Sequence, residues 1–272
     1  MACKRVAFFG AEGAFTHLAA LQFCSDNKDL QLVNENFIRI SEVDKILNED
    51  KADYCVVPAE NSTGGMVNDT FDLLISSKLK VLNEIRLPII QNLLSKESSI
   101  SAIKSVYAHP QSLAQCRDFL NSNLPNAELI DALSNAVGAK IAAEKRNGAA
   151  AIGAKILSDV YGLNVIKENI NDSCGNETRF FVVGKNSLSK YGKHSIILFA
   201  LQNRAGALYE ILKIFNDYNC NMTQISSRPS RIKNWDYLFV VEFDTLADIE
   251  KNRLMLNEIE NKCVYYNCVG MY

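Results

Sequence analysis

Asn176-Glu177-Thr178-Arg179-Phe180 sets a hydroxyl beside a guanidinium, immediately ahead of the apolar run Phe180-Phe181-Val182-Val183. Such a run reads as a buried strand. A buried strand holds polar side chains rigidly at the edge of a cleft, where a planar fork of donors grips a carboxylate and a hydroxyl passes a proton. That is equipment for a small acidic substrate. Taken singly, the same residues also suit a plain strand end, with the Arg as its cap and the Thr chosen for β propensity.

Four more polar clusters lie upstream. Gly10-Ala11-Glu12-Gly13-Ala14-Phe15-Thr16-His17 follows one apolar run and opens a helical pattern, so its glycines can bring backbone N–H groups toward an anion, or Thr16 can serve as an N-cap. Val57 to Val67 crowds Glu60, Asn61, Ser62 and Thr63 into a loop at the C-terminal end of a strand. Ligands of open α/β sheets bind in that location, although Ser62 or Thr63 also suits a helix cap. In His109-Pro110-Gln111-Ser112-Leu113-Ala114-Gln115-Cys116, Gln111 and Gln115 are spaced i to i+4 and share one helical face. Ser134-Asn135 opens the next helix, its hydroxyl and amide suited to capping or to holding a ligand oxygen. Five such clusters at strand ends of one region point to a shared cleft.

The elements that must position them alternate. Strand-like runs at Val6–Phe9, Tyr54–Val57, Ile85–Leu94, Ser105–Tyr107, Ala127–Ile130 and Ala149–Ile152 interleave with helical segments at Leu18–Phe23, Phe71–Leu74, Ser112–Leu120 and Ala136–Lys145. This order specifies an α/β protein with a largely parallel sheet. The polar stretch Gly184 to Lys193 interrupts it and marks a domain boundary. Beyond it the order strand (Ser195–Leu201), helix (Leu208–Tyr218), strand (Met222–Ser227), strand (Asp236–Phe243), helix (Ile249–Asn261), strand (Val264–Val269) is βαββαβ, the ferredoxin-like arrangement.

Composition bounds the function class. The chain has 272 residues, 48% of them hydrophobic, enough for one large domain or two ordinary ones. A net charge of −2 with scattered basic residues leaves no footprint for nucleic acid. No apolar run approaches the length of a membrane span, and the chain enters a strand almost at once, so a cytoplasmic protein is expected. The 8 cysteines are dispersed, several in apolar segments, which predicts reduced thiols; the 3 histidines have no ligand spacing, so no metal site is expected.

The motifs resemble those of monofunctional prephenate dehydratases with a C-terminal ACT regulatory domain. The family pattern reads Gly-Pro-x-Gly-Thr-Phe-Ser, Val-Pro-x-Glu-Asn-Ser-x-x-Gly-x-Val, Ser-His-Pro-Gln-Ala-Leu-Ala-Gln-Cys and Asn-x-Thr-Arg-Phe. Here these fall at Gly10–Thr16, Val57–Val67, Ala108–Cys116 and Asn176–Phe180, in order and over essentially the whole chain. The resemblance implies an α/β fold: a two-lobed catalytic domain over residues 1–184, similar to type 2 periplasmic-binding folds, with crossovers near residues 80 and 165, and an ACT domain over 194–272. It implies decarboxylating dehydration of prephenate to phenylpyruvate. Aromatisation drives that reaction, so no cofactor is called for.

On this resemblance Thr178 hydrogen-bonds the leaving hydroxyl. Arg179 holds a carboxylate or orients the loop, and Glu60 is the ultimate proton source or orients another group. Asn61 with Ser62, Thr16, Gln111, Gln115, Ser134, Asn135 and Phe180 forms the rest of the site. Three departures stand out: Ala11 for Pro, Ala14 for Thr or Ser, and Ala108 for Ser, which shifts weight to Thr16, Ser112 and Thr178.

In the second domain Asn203-Arg204-Ala205-Gly206-Ala207-Leu208 resembles the family's Asn-x-Pro-Gly-Ala-Leu turn, and Ser226-Ser227-Arg228-Pro229 its Glu-Ser-Arg-Pro. The resemblance makes these the binding site for phenylalanine as feedback effector, with Ala205 and Ser226 as departures. A ferredoxin-like module with an open edge predicts a homodimer or homotetramer. Two other functions fit the same chain: arogenate dehydratase, with the same chemistry on an amino substrate, and a catalytically silent amino-acid sensor.

Overall fold

The computed structural model describes residues 4–27, 29–37, 39–145, 147–185, 192–229 and 237–272. Asn186 to Tyr191 of the expected interdomain stretch, Asp236 of an expected strand and Cys3 lie outside the described residues. The elements begin with β1 (Lys4–Phe9), α1 (Phe15–Asp26), β2 (Leu30–Phe37), α2 (Val43–Asn48), β3 (Tyr54–Asn61), β4 (Gly65–Met66), α3 (Asn68–Ser76) and β5 (Lys80–Pro88). They continue with β6 (Asn92–Ser95), β7 (Ser105–Ala108), α4 (Pro110–Gln115), α5 (Arg117–Asn123), β8 (Glu128–Asp131), α6 (Asn135–Glu144), β9 (Ala149–Gly153), α7 (Ile156–Tyr161), β10 (Asn164–Lys167) and β11 (Glu177–Gly184). The last are β12 (His194–Ala200), α8 (Ala207–Asp217), β13 (Met222–Pro229), β14 (Tyr237–Asp244), α9 (Ile249–Lys262) and β15 (Tyr265–Met271).

The chain forms two compact units, Met1–Thr70 with Ile85–Phe180, and Phe71–Glu84 with Phe181–Tyr272. The first holds two lobes. In one, β1 pairs in parallel with β2 and with β3, Ala7 facing Cys55, and β4 folds back antiparallel on the end of β3. In the other, a five-stranded sheet has the order β10-β6-β9-β7-β8. There β7 runs parallel to β8 and β9, while β6 pairs antiparallel with β9 and β10. The sheet change lies at residues 89–91 and the return at 168–176, between β10 and β11; the sequence reading put these crossings near 80 and 165.

Both faces of the second lobe's sheet are covered over its inner strands β6, β7 and β9, which are buried almost throughout instead of alternating. Leu93, Val106, Ala150 and Ile152 meet Leu120 on one face. Leu94, Tyr107 and Ala151 meet Ala136, Ala139 and Leu157 on the other. Small residues set the depth of that second contact: a side chain at Gly138 would strike the Tyr107 carbonyl, so α6 lies close on β7. The expected helix Ser112–Leu120 is two, α4 and α5, meeting at Cys116, and the apolar run Ile85–Leu94 is likewise two strands.

In the second unit β13-β14-β12-β15 form an antiparallel sheet. Ile197, Phe199, Val241 and Phe243 project from it onto Ile211 and Phe215 of α8 and Met255 and Ile259 of α9. Burying large aromatics and aliphatics between one sheet face and two helices is what the βαββαβ order requires. The start of β5 joins this sheet, Val81 facing Gly270 of β15 in parallel.

Candidate active site

A cleft of about 280 Å³ opens between the two lobes of the first unit. One wall comes from Thr16 at the start of α1, Asn61 at the end of β3, and Thr178 and Phe180 of β11. The other comes from Gln91 before β6, Gln111, Ser112 and Gln115 of α4, and Ser134 and Asn135 at the start of α6. Polar groups from six separated stretches thus converge, as expected for a site built at strand ends.

Asn61 and Thr178 lie at the centre. Asn61 Nδ2 donates to Thr178 Oγ1 at 2.9 Å and to Asn176 Oδ1 at 2.7 Å. Its own Oδ1 accepts from the backbone N–H of Thr63 at 3.1 Å and of Gly64 at 2.9 Å, and from Thr63 Oγ1 at 2.7 Å. Two backbone donors leave no freedom to flip the amide, so Nδ2 is fixed toward Thr178. Thr178 is buried, and no described residue accepts its O–H. Ser62 is turned from the cleft and ties the strand ends together: its Oγ accepts from the Glu177 N–H at 3.0 Å.

Arg179 and Glu60 do not line the cleft. Successive residues of a strand face opposite sides, so with Thr178 and Phe180 turned inward, Arg179 points the other way, where its Nη1 donates to Glu60 Oε2 at 2.9 Å.

The cleft lining contains neither Lys nor Arg. Its electropositive features are backbone. Ala14 at the N-cap of α1 has no oxygen to offer, so no side chain caps this 12-residue helix and its first-turn N–H groups are left for a ligand anion. Ser134 takes the ordinary cap role on α6, accepting from Val137 N–H at 3.2 Å. His17 lies on the buried face of α1, its Nδ1 accepting from the Gly13 N–H at 3.1 Å. Burial pushes its pKa below the ordinary value against a smaller opposing pull from Glu12.

Gln115 reaches across to the first lobe, its Nε2 donating to Thr63 Oγ1 at 3.3 Å. Gln91 is the residue that sequence reasoning missed: it sits in the apolar run Ile85–Leu94, where the only signal is an amide pair, Gln91-Asn92, between hydrophobic neighbours. Among the described residues no group of three or more His, Cys, Asp or Glu is placed to hold a metal ion.

In the second unit a smaller cleft, about 150 Å³, is lined by Asn203, Ala207 and Leu208 with Gln202, Tyr237 and Phe239. Gly206 caps α8 at φ 80 with no side-chain oxygen; the Ala207 N–H turns back to the Arg204 carbonyl at 3.3 Å, which leaves the N–H groups of Leu208 and Tyr209 for a ligand. Ala205, Gly206, Ser226, Ser227 and Arg228 are not in its lining; Arg228 instead pairs with Asp72 at 3.8 Å and lies over the Phe71 ring.

Comparison with known proteins gives the same answer from another direction. Residues 6–188 match the prephenate dehydratase family and residues 195–260 the ACT domain. A bifunctional chorismate mutase/prephenate dehydratase of Aquifex aeolicus is 36% identical over 98% of this chain and 73% of its own length. A prephenate dehydratase of Methanocaldococcus jannaschii is 38% identical over 80% of each chain. The crystal structure of a prephenate dehydratase from Arthrobacter aurescens in complex with L-Phe superposes with a TM-score of 0.87 at 27% identity, over 98% of this chain and 89% of that one. With family model, relatives and fold in agreement, the chain belongs to the prephenate dehydratase family and carries an ACT domain.

Proposed function

We propose that this chain converts prephenate to phenylpyruvate, carbon dioxide and water, and that Thr178 is the group that serves the leaving hydroxyl. The Asn61 Nδ2 to Thr178 Oγ1 hydrogen bond carries the reading. As the ring carboxylate leaves as carbon dioxide, its bonding electrons move into the ring and the 4-hydroxyl departs with its own pair. The Thr178 O–H donates to that oxygen, which leaves as water, and Thr178 regains its proton from solvent. Negative charge growing on Thr178 Oγ1 is stabilised by the Asn61 N–H, already aimed at it, which is the preorganised donor that such chemistry needs. The two carboxylates of the substrate meet the open N–H groups of α1 and the amides of Gln111 and Gln115, with Phe180 against the ring. Arg179 and Glu60, paired outside the lining, orient the strand ends.

The ACT domain takes phenylalanine as an effector, its carboxylate at the start of α8 and its side chain among Leu208, Tyr237 and Phe239. The domain limits are read as 1–184 and 194–272. Strand β13 is an edge strand with Ile225 exposed, which supports a homodimer or homotetramer. A biosynthetic lyase acting on a soluble dicarboxylate is placed in the cytoplasm; no described helix is long and apolar enough to cross a membrane.

Turnover of prephenate and arogenate, followed with and without chelator and with millimolar phenylalanine, tests the reading. Faster conversion of prephenate, indifferent to chelator and slowed by phenylalanine, is expected. Turnover of neither substrate would overturn it and favour a sensor.

A further inference from the structure

Two side-chain amides and one hydroxyl on the second lobe's wall are locked in a single hydrogen-bonding sense, and the lock starts at a backbone atom. The His109 N–H can only donate, and it donates to Asn135 Oδ1 at 3.0 Å. That contact decides which end of the Asn135 amide is oxygen. Its Nδ2 therefore faces Ser112 Oγ at 2.9 Å and Gln91 Oε1 at 3.4 Å. Gln91 is fixed in turn: with its oxygen toward Asn135, its Nε2 donates to Ser112 Oγ at 3.1 Å. Ser112 thus receives two N–H groups, and a serine hydroxyl has two lone pairs and one hydrogen. Both acceptor positions are filled, and no described residue accepts the O–H. Ser112 is 5% exposed and Gln91 2%, and both line the cleft. A buried hydroxyl without an acceptor is costly until a ligand supplies one.

We propose that Ser112 is a committed hydrogen-bond donor to an oxygen of the bound substrate, and that Gln91 is the positioning residue that keeps its hydroxyl turned to the cleft. The partner is a carboxylate or keto oxygen; an ammonium brings only hydrogens and is rejected at this point. Ser112 also stands where the family pattern has Ala, four residues after Ala108, which stands where the pattern has Ser. The activity reading above supplies only the identity of the substrate.

Two variants test this. Ser112→Ala removes the donor. Gln91→Glu keeps the shape but replaces the Nε2 donor by an acceptor, so the Ser112 O–H turns inward. Each is expected to lower kcat/KM for prephenate by roughly tenfold to a hundredfold, the scale of one hydrogen bond to a charged or strongly accepting group. The double variant is expected to be no worse than Gln91→Glu alone, because both changes remove the same bond. A Glu at position 91 that costs as much in the Ser112→Ala background would act by repelling the substrate, and that result overturns the positioning role. Equal losses on prephenate and arogenate assign the acceptor to a carboxylate, which both carry; a loss confined to prephenate assigns it to the keto oxygen. Ser112→Ala within twofold of the parent on both substrates overturns the donor. If the parent turns over neither substrate, the activity reading fails separately. Calorimetric titration with phenylpyruvate, a keto acid, then decides the donor: weaker binding by Ser112→Ala upholds it and equal affinity overturns it.

Discussion

Arg179 Nη1 donates to Glu60 Oε2 at 2.9 Å on the face of β11 opposite Thr178, with the two side chains 14% and 27% exposed. The pair clips the ends of neighbouring strands β3 and β11, the same ends that present Asn61 and Thr178. On the proposed reading of the site it positions those two residues. Glu60→Gln keeps the shape and removes the charge, so it is expected to cost about 1–3 kcal/mol of stability and to lower kcat without moving the limbs of the pH–rate profile. A lost limb would show that Glu60 itself delivers the proton, and would return it to the role of acid.

His17 predicts a pH dependence of stability. Its folded pKa lies below the ordinary 6.5 because it is buried. In the window between that lowered value and 6.5 the unfolded chain binds the extra proton and the folded chain does not. Stability therefore falls as pH drops through the window and flattens below it. Protonation would also remove the acceptor that Nδ1 offers the Gly13 N–H. Melting curves from pH 8 downward should show the loss, and His17→Asn, which keeps an acceptor without the titration, should flatten it. A slope unchanged in the variant would assign the effect to other groups.

Gly13 carries two constraints at once. Its φ of 83 is in the left-handed region, and a Cβ there would drive into Leu157 of α7. This is where the loop after β1 in one lobe rests on the other lobe. Gly13→Ala is expected to cost about 1–3 kcal/mol and to raise KM by spreading the walls of the cleft. Adding Leu157→Ala should recover part of the KM, since it clears the steric half and leaves the backbone half. Full recovery would mean that the backbone conformation carries no strain.

Much of this was legible in residue order. The runs Val6–Phe9, Tyr54–Val57, Ser105–Tyr107 and Ala149–Ile152 are apolar because both sheet faces are buried, and all four are strands. The six elements from β12 to β15 follow from period and turn residues alone. Short elements without a strong period were not legible: α2 and α7 have 6 residues each, and β10 is a 4-residue strand with half-exposed side chains. The site shows the same division. Local motifs announce Asn61, Gln115, Asn135 and Thr178, whereas the partner of Arg179 is 119 residues away in sequence, and only the strand pairing reveals that Arg179 faces away from the cleft. Gln91 was hidden by its hydrophobic neighbours; its role depends on Ser112 and Asn135, which the chain reaches later.

The sharpest test lies at the Asn61–Thr178 hydrogen bond. Thr178→Val keeps the β-branched shape and strand preference and deletes the hydroxyl. Asn61→Asp keeps the contacts its oxygen makes to Thr63 and Gly64, but turns the atom facing Thr178 from donor to acceptor, so the Thr178 O–H is drawn out of the cleft. If that O–H acts mainly in the transition state, each change should lower kcat by roughly 10²-fold or more with a smaller effect on KM, the usual scale for a positioned proton donor or oxyanion contact. The two losses should not add, because either one alone removes the same donated proton. Circular dichroism and melting temperature check that both proteins are folded. A folded Thr178→Val enzyme with near-parental kcat would reduce Thr178 to a structural residue, and additive losses would show that Asn61 acts on the substrate by a separate route.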